Sequence, residues 1–107
     1  MTETDPIAEL EATIRERRTG DPDSSYVARI TSRGRAKLAQ KVGEEAVETA
    51  IAAMQDDAQA LTGEAADLVF HLLILLADAG LSLDDVRAEL ARRRGRSGLD
   101  EKAARYQ

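Results

Sequence analysis

The sequence predicts an all-α protein, a chain of four or five helices forming a helical bundle. Three observations predict it. Ala, Leu, Glu and Arg are abundant while the aromatics amount to two Tyr and one Phe, a mixture that favours helix over sheet. Apolar residues recur at three- and four-residue spacing, and no stretch alternates with the period of a strand. Cap and stop residues divide the chain at helix-sized intervals. At 107 residues the chain suits one domain, 1–94, followed by a polar tail, 95–107.

Asp5-Pro6 opens the first helix, because Pro suits the first helical position, and Ile7, Leu10 and Ile14 form its stripe. Gly20-Asp21-Pro22-Asp23 is a loop signal. A short second helix, from about Ser25 to Arg33, carries Tyr26, Val27 and Ile30 and breaks near Gly34. The third spans about Arg35 to Met54. The fourth starts near Asp56, whose spacing to Gln59 is that of a capping box, and ends at Gly80. Ser82 caps the fifth, with Asp85 as its third-position partner and Leu81 and Val86 as a staple; this helix ends before Gly95. The tail GRSGLDEKAARYQ is polar and predicts a segment that stays mobile until something binds it.

Composition removes several classes of function. Without cysteine there is neither a disulfide framework nor a thiolate metal site, which suits a reducing cytoplasm. The start, MTETDPIAELEAT, is acidic and lacks the apolar core of a signal peptide. The longest apolar run, Leu68 to Ala77, is interrupted by His71 and is too short to span a bilayer, so a soluble, cytoplasmic protein with no membrane partner is expected. A net charge of −5 opposes nucleic acid. The charge is uneven, however. Arg29, Arg33, Arg35, Lys37 and Lys41 have no acid among them, and the carboxylates begin at Glu44. Such a stretch could hold a phosphate beside a metal; a solvated helix face would look the same.

Two acidic motifs carry the chemistry. In KVGEEAVE, residues 41–48, Glu44, Glu45, Glu48 and Lys41 share an arc of about 100°, with Lys37 one turn upstream on the same face. The opposite side carries Ala39, Val42, Ala46, Ala50 and Ala53 and is expected to pack inward. In GEAADLVFH, residues 63–71, Glu64, Asp67 and His71 form one face of a helix that is otherwise almost wholly apolar and therefore buried on most sides. Folding the third and fourth helices into an antiparallel hairpin about Asp56 places Glu48 level with Glu64, and Glu45 level with Asp67. Both pairs then lie roughly 12–17 Å along the helices from the turn. Four carboxylates brought together cannot all stay ionised unless a cation neutralises them. Oxygen-only ligands point to Mg²⁺, Mn²⁺ or Ca²⁺, and Mg²⁺ first, because it keeps waters and shares its shell with phosphates. His71 reads as a neighbour of the ligands rather than as one of them.

SYVARITSRGRAKLAQKVGEEAVETAIAA and GEAADLVFHLLILLADAGLSLDDVRAEL together resemble the phosphoribosyl-ATP pyrophosphatase family, within the wider all-α, MazG-like nucleotide pyrophosphohydrolases. The resemblance runs from about Asp23 to Arg94, and the tail SGLDEKAAR resembles an extension found in some members. It implies that Glu45, Glu48, Glu64 and Asp67 ligate Mg²⁺, with Mn²⁺ a possible substitute, and that Glu44 is a further ligand or the base that orients water. It implies that Lys41, Lys37 and Arg33 contact phosphate, with His71 beside them, and that the substrate is 1-(5-phosphoribosyl)-ATP, cleaved between its α and β phosphates in the second step of histidine biosynthesis. It also implies a homodimer and a possible contact with a separate phosphoribosyl-AMP cyclohydrolase. Phe70 stands where Tyr is common in the family, so a hydroxyl contact there is lost. Tyr26, Phe70 and Tyr106 are the only aromatics available to hold the adenine. A general nucleoside triphosphate pyrophosphatase with the same metal site, and a non-catalytic helical dimerisation module, remain the other two readings.

Overall fold

The computed structural model describes residues 5–105; Tyr106 and the first residues of the acidic N-terminal segment lie outside them. Six helices carry the described chain, with no strand among them: α1 (Pro6–Arg17), α2 (Tyr26–Ser32), α3 (Arg35–Ala53), α4 (Ala58–Asp78), α5 (Leu83–Arg92) and α6 (Gly98–Arg105). α3 and α4 form the antiparallel hairpin, and α1 and α2 pack across it.

Local chemistry explains most boundaries. Asp5 caps α1, its carboxylate accepting from the Ile7 amide at 3.1 Å, and Pro6 fills the first position. Ser25 accepts from the Ala28 amide and starts α2. Gly34, at φ +95°, makes the break before α3 in a conformation few side chains tolerate. Gly80, at φ +76°, ends α4, with the Leu81 amide donating back to the Leu76 carbonyl at 2.8 Å. The expected box on α5 is present: Ser82 accepts from the Asp85 amide, and Asp85 accepts from the Ser82 amide.

The start of α4 differs from expectation by one residue. Asp57, not Asp56, is the cap, accepting from the Gln59 and Ala60 amides at 3.1 Å. Asp56 instead takes φ +54° and turns the chain, a left-handed conformation that Asp tolerates better than most residues.

The core is small. Ile14, Leu38 and Ile74 are fully buried, joined by Val27, Ile30 and Leu73, with Leu10, Val69, Phe70 and Leu83 against them. Truncating any of the three central residues to Ala should cost about 2–5 kcal/mol. Ile7, the first member of the α1 stripe, stays exposed.

α3 is rotated relative to the expectation. Its buried residues are Leu38, Glu45 and Ala52, while Ala39, Ala46, Ala50 and Ala53 face out and Val42 is only half-buried. The acid-bearing side meets α4, because Leu38 and Ala52 each lie two turns from Glu45 and within about 20° of it around the helix. Val47, Ile51 and Met54 extend the outward apolar side, at 59, 53 and 86% exposure.

α4 also departs from the sequence reading. As a continuous 21-residue helix with a mean hydropathy of 1.7 over 18 residues, it is long and apolar enough to cross a bilayer. In the fold it is the central helix against which α1, α2 and α3 pack, with His71, Leu73 and Ile74 buried. Leu72 remains 39% exposed, so one chain does not cover it on every side.

The polar tail forms α6. Ser97 accepts from the Asp100 amide at 3.0 Å, a cap the sequence signals through its Ser-x-x-Asp spacing. Glu101 is buried, paired with Arg92, with Arg96 at 3.6 Å and Arg93 at 3.8 Å. Three guanidinium groups around one carboxylate hold this segment to the end of α5.

Candidate metal centre

One oxygen from each of Glu45, Glu48 and Glu64 can be chosen so that all three lie within 4.8 Å of one another. The α3–α4 turn produces this meeting: residues eight positions either side of Asp56 arrive level, and Glu45 sits one turn below Glu48 on the same face. Glu45 is buried, Glu64 half-buried and Glu48 exposed, so the group opens to solvent at its Glu48 edge. Asp67 lies close enough for its charge to act on both Glu45 and Glu64, but its carboxylate is outside the three-oxygen group, and the residue is exposed.

The electrostatics are those of a site awaiting positive charge. Burial pushes the Glu45 carboxyl above its ordinary value; the Glu48 charge adds to the rise and His71 opposes it. Burial likewise raises Glu64, reinforced by the Glu48 carboxylate beside it. Oε2 of Glu45 and Oε2 of Glu64 are buried without a hydrogen-bond partner. Orphaned carboxylate oxygens converging without Cys fit a hard divalent cation, which would satisfy both and remove the repulsion.

His71 stands behind the group. Its Nδ1 lies 3.0 Å from the Asp67 carbonyl oxygen, which can only accept, so Nδ1 carries a proton. The same nitrogen is 3.7 Å from Oε1 of Glu45. Nε2 lies 2.7 Å from the Tyr26 hydroxyl. Phe70 packs edge-on to His71, with centroids 5.3 Å apart, and stacks at 6.1 Å on Tyr26.

Beside this group, α2 and α3 enclose a pocket of about 170 Å³, lined by Tyr26, Arg29, Ile30, Arg33, Lys37, Lys41 and Glu44. Arg33, Lys37 and Lys41, the expected phosphate contacts, are all in it. Lys41 leans toward Glu44, with 3.7 Å between Nζ and Oε2. Gln40 donates to Glu44 at 2.7 Å, and this bond, with help from Lys41 and Lys37, holds the Glu44 carboxyl below its ordinary value. Arg35, the fifth cation of the run, is elsewhere: it pairs with Asp78 at 3.0 Å.

Arg29 enters the sequence reading only as the first cation of the run and Tyr26 only as one of three aromatics for the adenine, although spacing signals a shared face. Positions 26, 29 and 33 share one helical face, as do 37 and 41 on the next helix. What spacing could not show is that these two faces meet.

The phosphoribosyl-ATP pyrophosphohydrolase family profile matches residues 7–94. The chain is 60% identical over 102 residues to a phosphoribosyl-ATP pyrophosphatase of Rhizorhabdus wittichii, covering 95% of this chain and 96% of that one. It is 62% identical over 99 residues to one from Erythrobacter litoralis, covering 92% and 95%, and 59% identical to one from Novosphingobium aromaticivorans, covering 92% of each. The match takes in α1 to α5 with both carboxylate motifs and the cationic pocket, and the chain belongs to the phosphoribosyl-ATP pyrophosphohydrolase family.

Proposed function

We propose that this chain hydrolyses 1-(5-phosphoribosyl)-ATP between the α and β phosphates, giving 1-(5-phosphoribosyl)-AMP and pyrophosphate, the second step of histidine biosynthesis. The observation that carries the reading is the convergence of Glu45, Glu48 and Glu64 beside a pocket of four cations, in a chain of this family.

Glu45, Glu48 and Glu64 would hold Mg²⁺, or Mn²⁺ in its place, with Asp67 completing the set. Such an ion would supply positive charge near the phosphate oxygens and lower the pKa of a water. The chain's own residues do the rest. Lys41, Lys37 and Arg33 bind phosphate oxygens and orient the substrate. Glu44, kept ionised by Gln40 and its two lysine neighbours, accepts a hydrogen bond from the attacking water and aims it. Because Gln40 and the two lysines lower this carboxyl rather than raise it, its role is to orient the water. Nδ1 of His71, 3.7 Å from Oε1 of Glu45, helps keep that side chain in place.

The outward apolar side of α3, with Val47, Ile51 and Met54 exposed, and the uncovered part of α4 favour a homodimer that buries both. A cytoplasmic location belongs to the same reading, as does contact with a separate phosphoribosyl-AMP cyclohydrolase, which consumes the product.

Product analysis with phosphoribosyl-ATP and Mg²⁺ tests the activity: pyrophosphate, not phosphate, should appear. Strong preference for dUTP or dCTP at equal enzyme would favour a general nucleotide pyrophosphatase instead. A metal titration giving neither heat nor a rise in melting temperature would leave only a helical dimerisation module.

A further inference from the structure

We propose that the pocket between α2 and α3 is a subsite for an isolated sugar phosphate monoester, distinct from the carboxylate group, and that Arg29 determines its specificity. In the reaction this is the phosphate of the substrate's second ribose, so the catalytic part of the inference rests on the reading above.

Charge is the first argument. Among the described residues no carboxylate lies within ion-pair distance of Arg29, Arg33 or Lys37, and these three, unlike the other cations without ion pairs, line one pocket. Glu44, the one carboxylate of the lining, is engaged by Gln40 and Lys41, so the pocket keeps a net positive charge that a dianion relieves. Size is the second. About 170 Å³ lies below the roughly 300–1,000 Å³ of pockets that enclose a whole ligand, so the pocket suits one phosphate-bearing end of a larger molecule.

Geometry selects Arg29 within the set. Its Nε donates to the Pro22 carbonyl at 3.0 Å, and Nη2 lies 3.5 Å from the Asp23 carbonyl. Both partners are neutral, so the guanidinium is aimed while its charge stays available. Nη1 has no partner among the described residues. An aimed planar donor fits phosphate oxygens better than a flexible ammonium. Lys41, which shares its charge with Glu44, stands at the carboxylate end of the pocket and serves the triphosphate instead.

Ribose 5-phosphate, with ribose as the control, tests the subsite without metal or turnover. Amide shifts over residues 28–34 should follow ribose 5-phosphate and not ribose, and Arg29→Met should weaken that binding by about tenfold or more, the scale of a lost charge-assisted pair. Arg33→Met should weaken it as well, which keeps the test decisive if Arg29→Met loosens the 20–24 loop and fails to fold. Absence of binding by the wild type at about 10 mM, weaker than any useful contribution to affinity, would overturn the subsite. Binding that survives both variants would overturn it too. In turnover, Arg29→Met should raise KM for phosphoribosyl-ATP more than it lowers kcat, and Arg29→Lys should recover part of the loss. A wild type that releases no pyrophosphate from phosphoribosyl-ATP would sink the assigned reaction while the ribose 5-phosphate result stood by itself.

Discussion

The Tyr26 hydroxyl lies 2.7 Å from Nε2 of His71, and the opposite nitrogen of that ring is 3.7 Å from Oε1 of Glu45. One buried imidazole therefore touches both the wall of the cationic pocket and the carboxylate group. Tyr26→Phe keeps the stacking on Phe70 and removes only the hydroxyl, leaving a buried ring nitrogen unpaired. The expected loss is about 1 kcal/mol, the low end for such a group, because Tyr26 is half exposed and water can partly replace it. Urea unfolding measures it. An unchanged midpoint would show that the contact contributes nothing.

Glu45→Gln keeps the volume of the most buried carboxylate and removes its charge. Loss of a supporting partner around a metal costs roughly 10–100-fold in affinity, so loss of a direct ligand should exceed about 100-fold. Calorimetric titration with Mg²⁺ and pyrophosphate release should fall together. Wild-type metal affinity in this variant would remove Glu45 from the site.

The pH dependence has a definite sign. Burial, with Glu48 beside it, raises the Glu64 carboxyl in the folded chain, so the native state holds that proton more tightly than the unfolded one. Ionisation then costs stability as pH rises from the ordinary carboxylate range through the raised folded value. In chelator, Glu64→Gln should melt a few degrees above wild type at neutral pH, with the gap closing as pH falls and the wild-type carboxyl takes up its proton. Mg²⁺ should reverse the order. Thermal melts from about pH 4 to 8 decide, and a variant less stable than wild type in neutral chelator would contradict the sign.

Glu101→Ala should release α6 without unfolding the bundle. The three arginines it meets are 36–48% exposed and remain solvated once the carboxylate is gone, so global stability should move by less than about 1 kcal/mol. Hydrogen exchange over residues 98–105 should rise steeply while α3 and α4 stay protected. Unchanged protection of the tail would mean that the ring of arginines does not hold it.

Ile51→Glu places a charge in the outward apolar side of α3. It should convert the proposed dimer to monomer in sedimentation and leave the α3–α4 hairpin helical, because Ile51 is half exposed in the single chain. A wild type that sediments as a monomer would refute the homodimer.

The helices up to α5, the hairpin about residues 54–57, the α5 cap and the level of Glu48 with Glu64 were legible in the amino-acid order. Each depends on spacing within one helix or on distance from one turn, and both are local quantities. The rotation of α3 was not, because Leu38, Glu45 and Ala52 make one plausible inner face and Ala39, Ala46 and Ala53 make another. Only the surface that α4 presents chooses between them. The same reason hid the pairing of Arg35 with Asp78, 43 positions away, and of Tyr26 with His71, 45 away. It also hid the burial of Glu101 among arginines of the preceding helix and its connection, since its own helix reads as polar. Periodicity says which side chains share a face; which face meets which is settled by the packing free energy of the assembled helices, and so by tertiary structure alone.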